Sequence, residues 1–215
     1  MKRGAIFDMD GLLVDTEREY TKIWKEMAEK RGIQLPDDFE ERTKGRGGEE
    51  NYRVLESFYH EDGRKLFLEW QDQVRLRFAE AVPAKKGAAE ILDFFRGQGA
   101  KIAVASSSDR DIVLDFLKKA GLAGHFDAYV CGDEVPNGKP APDIFLRAAA
   151  ELGLSPEDCY VFEDSTLGIL SASSAGCVPV MVPDTLEPGP DIRKKAKVVC
   201  RDLADAMERI RRGEL

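Results

Sequence analysis

Histidine is almost absent: His60 and His125 are the two in 215 residues, too few for a phosphohistidine route or a histidine-built metal centre. Cysteine is sparse as well. Cys131, Cys159, Cys177 and Cys200 show no CxxC spacing, and a chain of this length needs no covalent staples, so they read as reduced core thiols rather than disulfides or zinc ligands. No apolar run approaches the roughly 20 residues that a membrane span needs. With an N-terminus, Met1-Lys2-Arg3-Gly4, that leads straight into strand-like sequence, this predicts a cytoplasmic protein with no membrane partner. Basic charge is in deficit, 32 Lys and Arg against 40 Asp and Glu, which argues against a phosphate-backbone footprint and against nucleic acid as partner. A monomer is expected. Gly45-Arg46-Gly47-Gly48 lacks the Lys-Ser/Thr pair and the preceding strand of a nucleotide-binding loop, and reads as a flexible loop.

The informative segment lies near the start. The apolar run Ala5-Ile6-Phe7 predicts a buried strand, and it ends in Asp8-Met9-Asp10-Gly11. Residues i and i+2 of a strand share a side, so Asp8 and Asp10 can serve one substrate atom as nucleophile and proton shuttle. Gly11 lets the backbone turn tightly there. From about Thr16 to Ala81 no strand is evident; Tyr20, Ile23, Trp24 and Met27, then Phe67, Trp70, Val74 and Phe78, recur at helical spacing. After Pro83, short apolar runs at Ile102–Ala105, Ala128–Cys131, Tyr160–Phe162, Val178–Val182 and Val198–Cys200 alternate with helical segments. That alternation predicts an α/β fold, a Rossmann-like parallel sheet covered by helices. The expected map is discontinuous: a core of residues 1–15 and 82–215, interrupted by an all-helical cap at 16–81. Asp15-Thr16 and Ala81-Val82-Pro83 are then the crossings, and plausible hinges. Ligands of such sheets bind beyond the carboxyl ends of the strands. Asp8, Ser106-Ser107-Ser108, Gly138-Lys139 and Glu163-Asp164-Ser165 all fall there.

FDMDGLLVDTE, VASSS, GKPAPDIF and FEDSTLGI, in that order, resemble the four motifs of the haloacid dehalogenase superfamily. The likeness is to its β-phosphoglucomutase-like phosphatase and phosphohexomutase branch, with a small helical cap after the first motif. The resemblance implies that Asp8 attacks phosphorus to form an aspartyl phosphate. Asp10 protonates the leaving oxygen and then activates water, while Ser106 and Lys139 hold the transferring phosphoryl group. It also implies Mg2+, held by the Asp8 carboxylate, the Asp10 main-chain carbonyl and Asp164, with Glu163 either a direct ligand or one layer behind. The expected substrate is a small phosphorylated metabolite. In the cap Tyr20, Lys44 and Arg46 are the expected substrate contacts, with Ser107 on the core side. The branch's mutases usually carry a histidine on the first cap helix and an arginine in the cap loop. Tyr20 stands near the former position and Arg46 matches the latter only loosely, which favours a phosphatase, with a phosphohexomutase as the alternative. A non-catalytic binding protein on the same fold is a third reading, disfavoured by retention of Asp8, Asp10, Lys139 and Asp164.

Overall fold

The computed structural model describes all 215 residues. Six short strands form one sheet: β1 (Gly4–Phe7), β2 (Lys101–Ser106), β3 (Ala128–Cys131), β4 (Cys159–Glu163), β5 (Val178–Met181) and β6 (Val198–Val199). Their order is β3-β2-β1-β4-β5-β6, with every neighbouring pair parallel. This is the doubly wound arrangement whose winding reverses between β1 and β4, and the crevice at that reversal is the place for a ligand.

Four helices follow β1 directly: α1 (Glu17–Lys30), α2 (Phe39–Thr43), α3 (Gly48–Tyr59) and α4 (Gly63–Arg77). They form the helical cap. Six more follow: α5 (Ala88–Gly97), α6 (Arg110–Lys119), α7 (Asp143–Glu151), α8 (Thr166–Ser174), α9 (Pro190–Lys195) and α10 (Leu203–Arg211).

Strand alternation sorts the core into two layers. Ile6, Ala103, Ala105 and Val161 face Phe145, Ala148 and Ala149 of α7. Ala5, Phe7, Val104 and Phe162 point the other way, toward α5, α6 and α10. On that face the Phe7 and Phe162 rings stack at 4.6 Å, with Phe95 edge-on to Phe7 at 6.0 Å. Burying side chains of this size stabilises the fold by about 1.5–3 kcal/mol each. Because the short β1 is buried on both faces, it holds the residue that follows it rigidly.

The cap has its own aromatic centre. Trp24 of α1 stacks on Trp70 of α4 at 5.2 Å, and the Tyr59 hydroxyl donates to the Trp24 carbonyl over 2.7 Å. Tyr20, Ile23, Trp24 and Met27 are all buried, as the helical spacing predicts. Phe67 is only half-buried and looks into a cavity, whereas Trp70, Val74 and Phe78 complete the packed stripe. The two crossings between cap and core run antiparallel and bond to each other: Asp15 N–H donates to Pro83 O and Lys85 N–H to Leu13 O, both over 2.9 Å. Lys85 further ties Asp15 to Asp184 at 3.2 and 2.6 Å. The four cysteines are free and buried. No helix is long and apolar enough to cross a membrane.

Candidate active site

The Asp8 carboxyl emerges where β1 ends and is almost fully buried. Its Oδ1 accepts from Lys139 Nζ over 2.5 Å, and the same ammonium donates to Glu163 Oε1 over 2.6 Å. Burial pushes the Asp8 carboxyl well above the usual carboxylate range, and the like charges of Glu163, Asp164 and Asp10 add to this, with Lys139 opposing. For Lys139 burial alone would lower the pKa, but Asp8 and Glu163 outweigh it and hold the group above the ordinary lysine value. Lys139 is therefore a fixed positive charge against the Asp8 carboxyl.

Glu163 has no oxygen to spare. Oε1 takes the lysine, and Oε2 accepts from the Ser165 N–H at 3.0 Å and the Ser165 hydroxyl at 2.9 Å. Ser165 in turn caps α8 by accepting from the Gly168 N–H over 3.0 Å. The arrangement depends on Gly168, because a Cβ there would lie 1.9 Å from the Glu163 carboxyl carbon. Gly168→Ala is expected to destabilise the protein by roughly 1–3 kcal/mol in urea unfolding despite alanine's better helix propensity. A gain in stability would contradict this packing.

Asp164 completes an acidic triplet: Asp8, Glu163 and Asp164 each offer a carboxylate oxygen, all within 4.8 Å of one another. Burial and the neighbouring Glu163 and Asp184 push Asp164 up to about 6 against the pull of Lys44. Its buried Oδ2 lies 2.8 Å from Lys44 Nζ and forms a buried ion pair with it. Gly11, at φ +75°, permits this approach, since a Cβ there would stand 2.3 Å from the same oxygen.

Asp10 faces a cavity of about 90 Å³ between core and cap. Its Oδ1 accepts from Thr16 Oγ1 at 2.9 Å and the Tyr20 hydroxyl at 2.7 Å. Oδ2 accepts from Ser108 Oγ at 2.8 Å and more distantly from Ser106 Oγ at 3.4 Å. Ser106 is buried at the end of β2 and lines the cavity with Asp8, Asp10 and Asp164.

The four residues expected to contact substrate, Tyr20, Lys44, Arg46 and Ser107, all line the same cavity as Asp8 and Asp10. Lys44 does so from a buried position. Being buried, it needs a countercharge, and it finds Asp164 while donating to Thr185 Oγ1 over 2.9 Å. Tyr20 lines the cavity, but its hydroxyl is committed to Asp10. Arg46 is paired with Glu50 at 2.7 Å and donates to the Arg42 carbonyl. Ser107 donates to the Gly45 carbonyl over 3.1 Å, a contact that fastens the cap loop to the core. Sequence reasoning missed Thr16, Ser108 and Thr185. Ser108 carried a signal, since it belongs to a run of serines at a strand end, but only the backbone path separates the three; Thr185 carried none.

A buried lysine between two carboxylates, a third carboxylate paired with a lysine of the cap and an Asp two residues beyond the first, at the carboxyl ends of a parallel sheet under a helical lid, define a phosphoryl-transfer site of one particular class. The family model described as haloacid dehalogenase-like hydrolase matches residues 2–176. The chain belongs to this family, in its phosphoglucomutase-like branch, and is an enzyme of the phosphoric monoester hydrolase type. Among its relatives is a phosphorylated carbohydrates phosphatase of Thermotoga maritima, 36% identical over 174 residues that span 80% of this chain and 81% of that protein. Another, described as a probable pseudouridine-5'-phosphatase of Drosophila melanogaster, is 38% identical across 84% of this chain and 81% of its own length. The crystal structure of a β-phosphoglucomutase from Clostridium difficile superposes with a TM-score of 0.83 at 27% identity, covering 99% of this chain and 96% of that one.

Proposed function

We propose that the protein is a Mg2+-dependent phosphatase that hydrolyses a small phosphorylated metabolite, a sugar phosphate or a close analogue, through an aspartyl phosphate on Asp8. The observation that carries this reading is the Lys139 ammonium seated between Asp8 and Glu163, beneath a cavity onto which Asp10 opens. Asp8 forms the new O–P bond while protonated Asp10 passes its proton to the departing ester oxygen. Asp10, now a carboxylate, accepts a proton from water as that water attacks phosphorus; the bond to Asp8 breaks and inorganic phosphate leaves. Ser106 and Lys139 hold the phosphoryl oxygens by hydroxyl and by charge. Thr16, Tyr20 and Ser108 hold Asp10 through its two oxygens.

Enzymes of this family generally use Mg2+, and the donors here suit it: hard carboxylate oxygens of three buried residues within one small volume. Asp8, Asp164 and the Asp10 main-chain carbonyl would hold the ion, with Glu163 committed behind them to Lys139 and Ser165. When bound, the ion supplies positive charge that offsets the carboxylates and the phosphoryl oxygens. The sign of its pH dependence follows from Asp164. With a folded pKa of about 6, above the ordinary ~3.9, this carboxyl favours the folded metal-free protein at low pH. That contribution is lost as pH rises through 6, where the ionised form becomes available to a cation. Thermal stabilisation by Mg2+ is therefore expected to be small at about pH 5 and large at about pH 7. An equal shift at both pH values would contradict the assignment of Asp164 as ligand.

Water is favoured over a second phosphorylated substrate as acceptor, because a mutase must seat two phosphates. The cations of the cavity wall are Lys44 and Arg46, both already paired, while Asp10, Glu17 and Glu40 share the wall. Phosphate release from a panel of sugar, polyol and nucleotide phosphates tests the reading. Turnover with Mg2+ alone is expected, whereas hexose phosphate isomerisation that requires an added bisphosphate, without phosphate release, would identify a mutase.

A further inference from the structure

The loop that joins β2 to α6 alternates in what it holds. Ser106 and Ser108 turn their hydroxyls to Asp10, while Ser107 and Asp109 bond to the cap. Ser107 donates to the Gly45 carbonyl, and Asp109 Oδ2 accepts from Gln71 Nε2 of α4 over 2.7 Å. Asp109 forgoes another interaction to make this bond. It occupies the N-cap position of α6, where an aspartate ordinarily accepts from a backbone N–H of the first turn, yet its side chain makes no capping bond. The Arg110 N–H is met instead by Asp133 Oδ1 over 3.1 Å. Gln71 is as unusual on its side. It is a buried amide beside Trp70 on the packed face of α4, and burying an amide is unfavourable unless it finds a partner. One turn further along α4, Arg75 pairs with Asp111 at 2.6 Å, and Lys119 at the far end of α6 donates to the Phe78 carbonyl over 2.9 Å. The cap helix α4 thus lies along α6, and its buried amide meets the residue next to Ser108.

We propose that Gln71 and Asp109 are a positioning pair for the general acid: the cap's hydrogen bond to Asp109 fixes the neighbouring Ser108, and Ser108 in turn sets the Asp10 carboxyl. The inference rests on the phosphatase reading above and adds two residues to it. Asp109 does not line the cavity, so its action on the reaction runs through its neighbours. On the core side the loop is already fastened: the Ser108 carbonyl accepts from the Gly132 N–H over 3.0 Å, and the Ser108 N–H donates to Ser106 Oγ over 3.1 Å. The freedom that remains lies toward the cap, the direction that Gln71 closes. Without that bond the Ser108 hydroxyl can swing away from Asp10 Oδ2, and a misplacement of about 1 Å is enough to slow a reaction severely.

The test uses two leaving groups of nearly the same shape and without alcohol hydroxyls: phenol, which needs a proton from Asp10 to depart, and 4-nitrophenol, which needs little. The ratio of kcat/KM for phenyl phosphate to that for 4-nitrophenyl phosphate, with Mg2+, therefore reads proton delivery, and a general loss of folded enzyme leaves it unchanged. Gln71→Glu, which sets a second carboxylate against Asp109, is expected to lower the ratio at least about fivefold, a part of the about 10²–10⁴-fold that a general acid supplies. Adding Asp109→Asn restores a donor and an acceptor of the same reach with the direction of the bond reversed. The double variant is expected to regain at least half of the loss on a logarithmic scale, although the new carboxylate at position 71 still faces the cavity. Asp109→Ser keeps an N-capping residue but cannot reach Gln71, and the same fall is expected; it keeps the test open if Gln71→Glu does not fold. A smaller fall in either single variant that folds, or a double variant that regains less than half, overturns the pair. Failure of the phosphatase reading looks different: wild type then shows no Asp8-dependent release of nitrophenol at all.

Discussion

Asp8→Asn is expected to lower kcat/KM by on the order of 10⁴-fold or more, the scale seen when a covalent nucleophile is removed, while leaving the protein as stable as wild type or more so. The two effects have one cause. Burial already holds the metal-free Asp8 carboxyl well above its ordinary range, so the folded protein bears a desolvation cost to keep an acid there. A neutral amide of the same shape removes that cost, and Lys139 retains Glu163 at 2.6 Å as its counterion. Thermal melts in chelator together with phosphate-release assays check both halves. A marked loss of stability, or activity within about tenfold of wild type, would show that Asp8 serves chiefly to hold the structure.

Lys139→Met should be damaging in a different way. It strips two buried carboxylates, Asp8 and Glu163, of the ammonium that lies 2.5 and 2.6 Å from them. Breaking a buried pair by removing one partner costs about 3–5 kcal/mol, because the remaining charge stays buried. The sign of the pH dependence is fixed by the carboxyls left behind. Without the cation the Asp8 carboxyl, already raised by burial, is pushed further up, so the loss of stability should be greatest near neutrality and shrink as acid protonates it. Adding Glu163→Gln to Lys139→Met should return part of the stability, since one of the stranded charges is gone, but none of the activity. Urea unfolding of the single and double variants at two pH values measures this. Equal destabilisation at both would mean that packing against Phe145, whose ring lies 5.1 Å from the ammonium, matters more than charge.

Much of the core was readable before any coordinates, and for a physical reason. A strand buried on both faces is a short apolar run, and in a parallel sheet the polar residue ending each run must fall on one edge. Asp8, Ser106, Lys139 and Glu163-Asp164 thus announced their meeting place, and all five line that edge. The cap was less readable. Its helices showed in the spacing of Tyr20, Ile23, Trp24 and Met27, but the aim of a loop side chain depends on backbone turns that composition does not encode. Lys44 illustrates the limit: beside glycines it reads as a substrate contact over Asp8, and the sequence gives no sign that its ammonium is buried against Asp164. Tyr20 shows the same limit from a helix, since helical periodicity placed it on the buried face but not its hydroxyl on Asp10.

The covalent role of Asp8 is tested most directly by acid-quenching the Asp10→Asn variant during reaction with 4-nitrophenyl phosphate and Mg2+. This leaving group needs little protonation, so attack by Asp8 proceeds, while the step that activates water is slowed by about 10²–10⁴-fold. A burst of nitrophenol equal to the enzyme present, with a phosphoryl group found by mass spectrometry on the peptide carrying Asp8, is the expected result. Steady turnover with no burst and no phosphate on that peptide would contradict it, and would leave direct attack by water as the chemistry of this site.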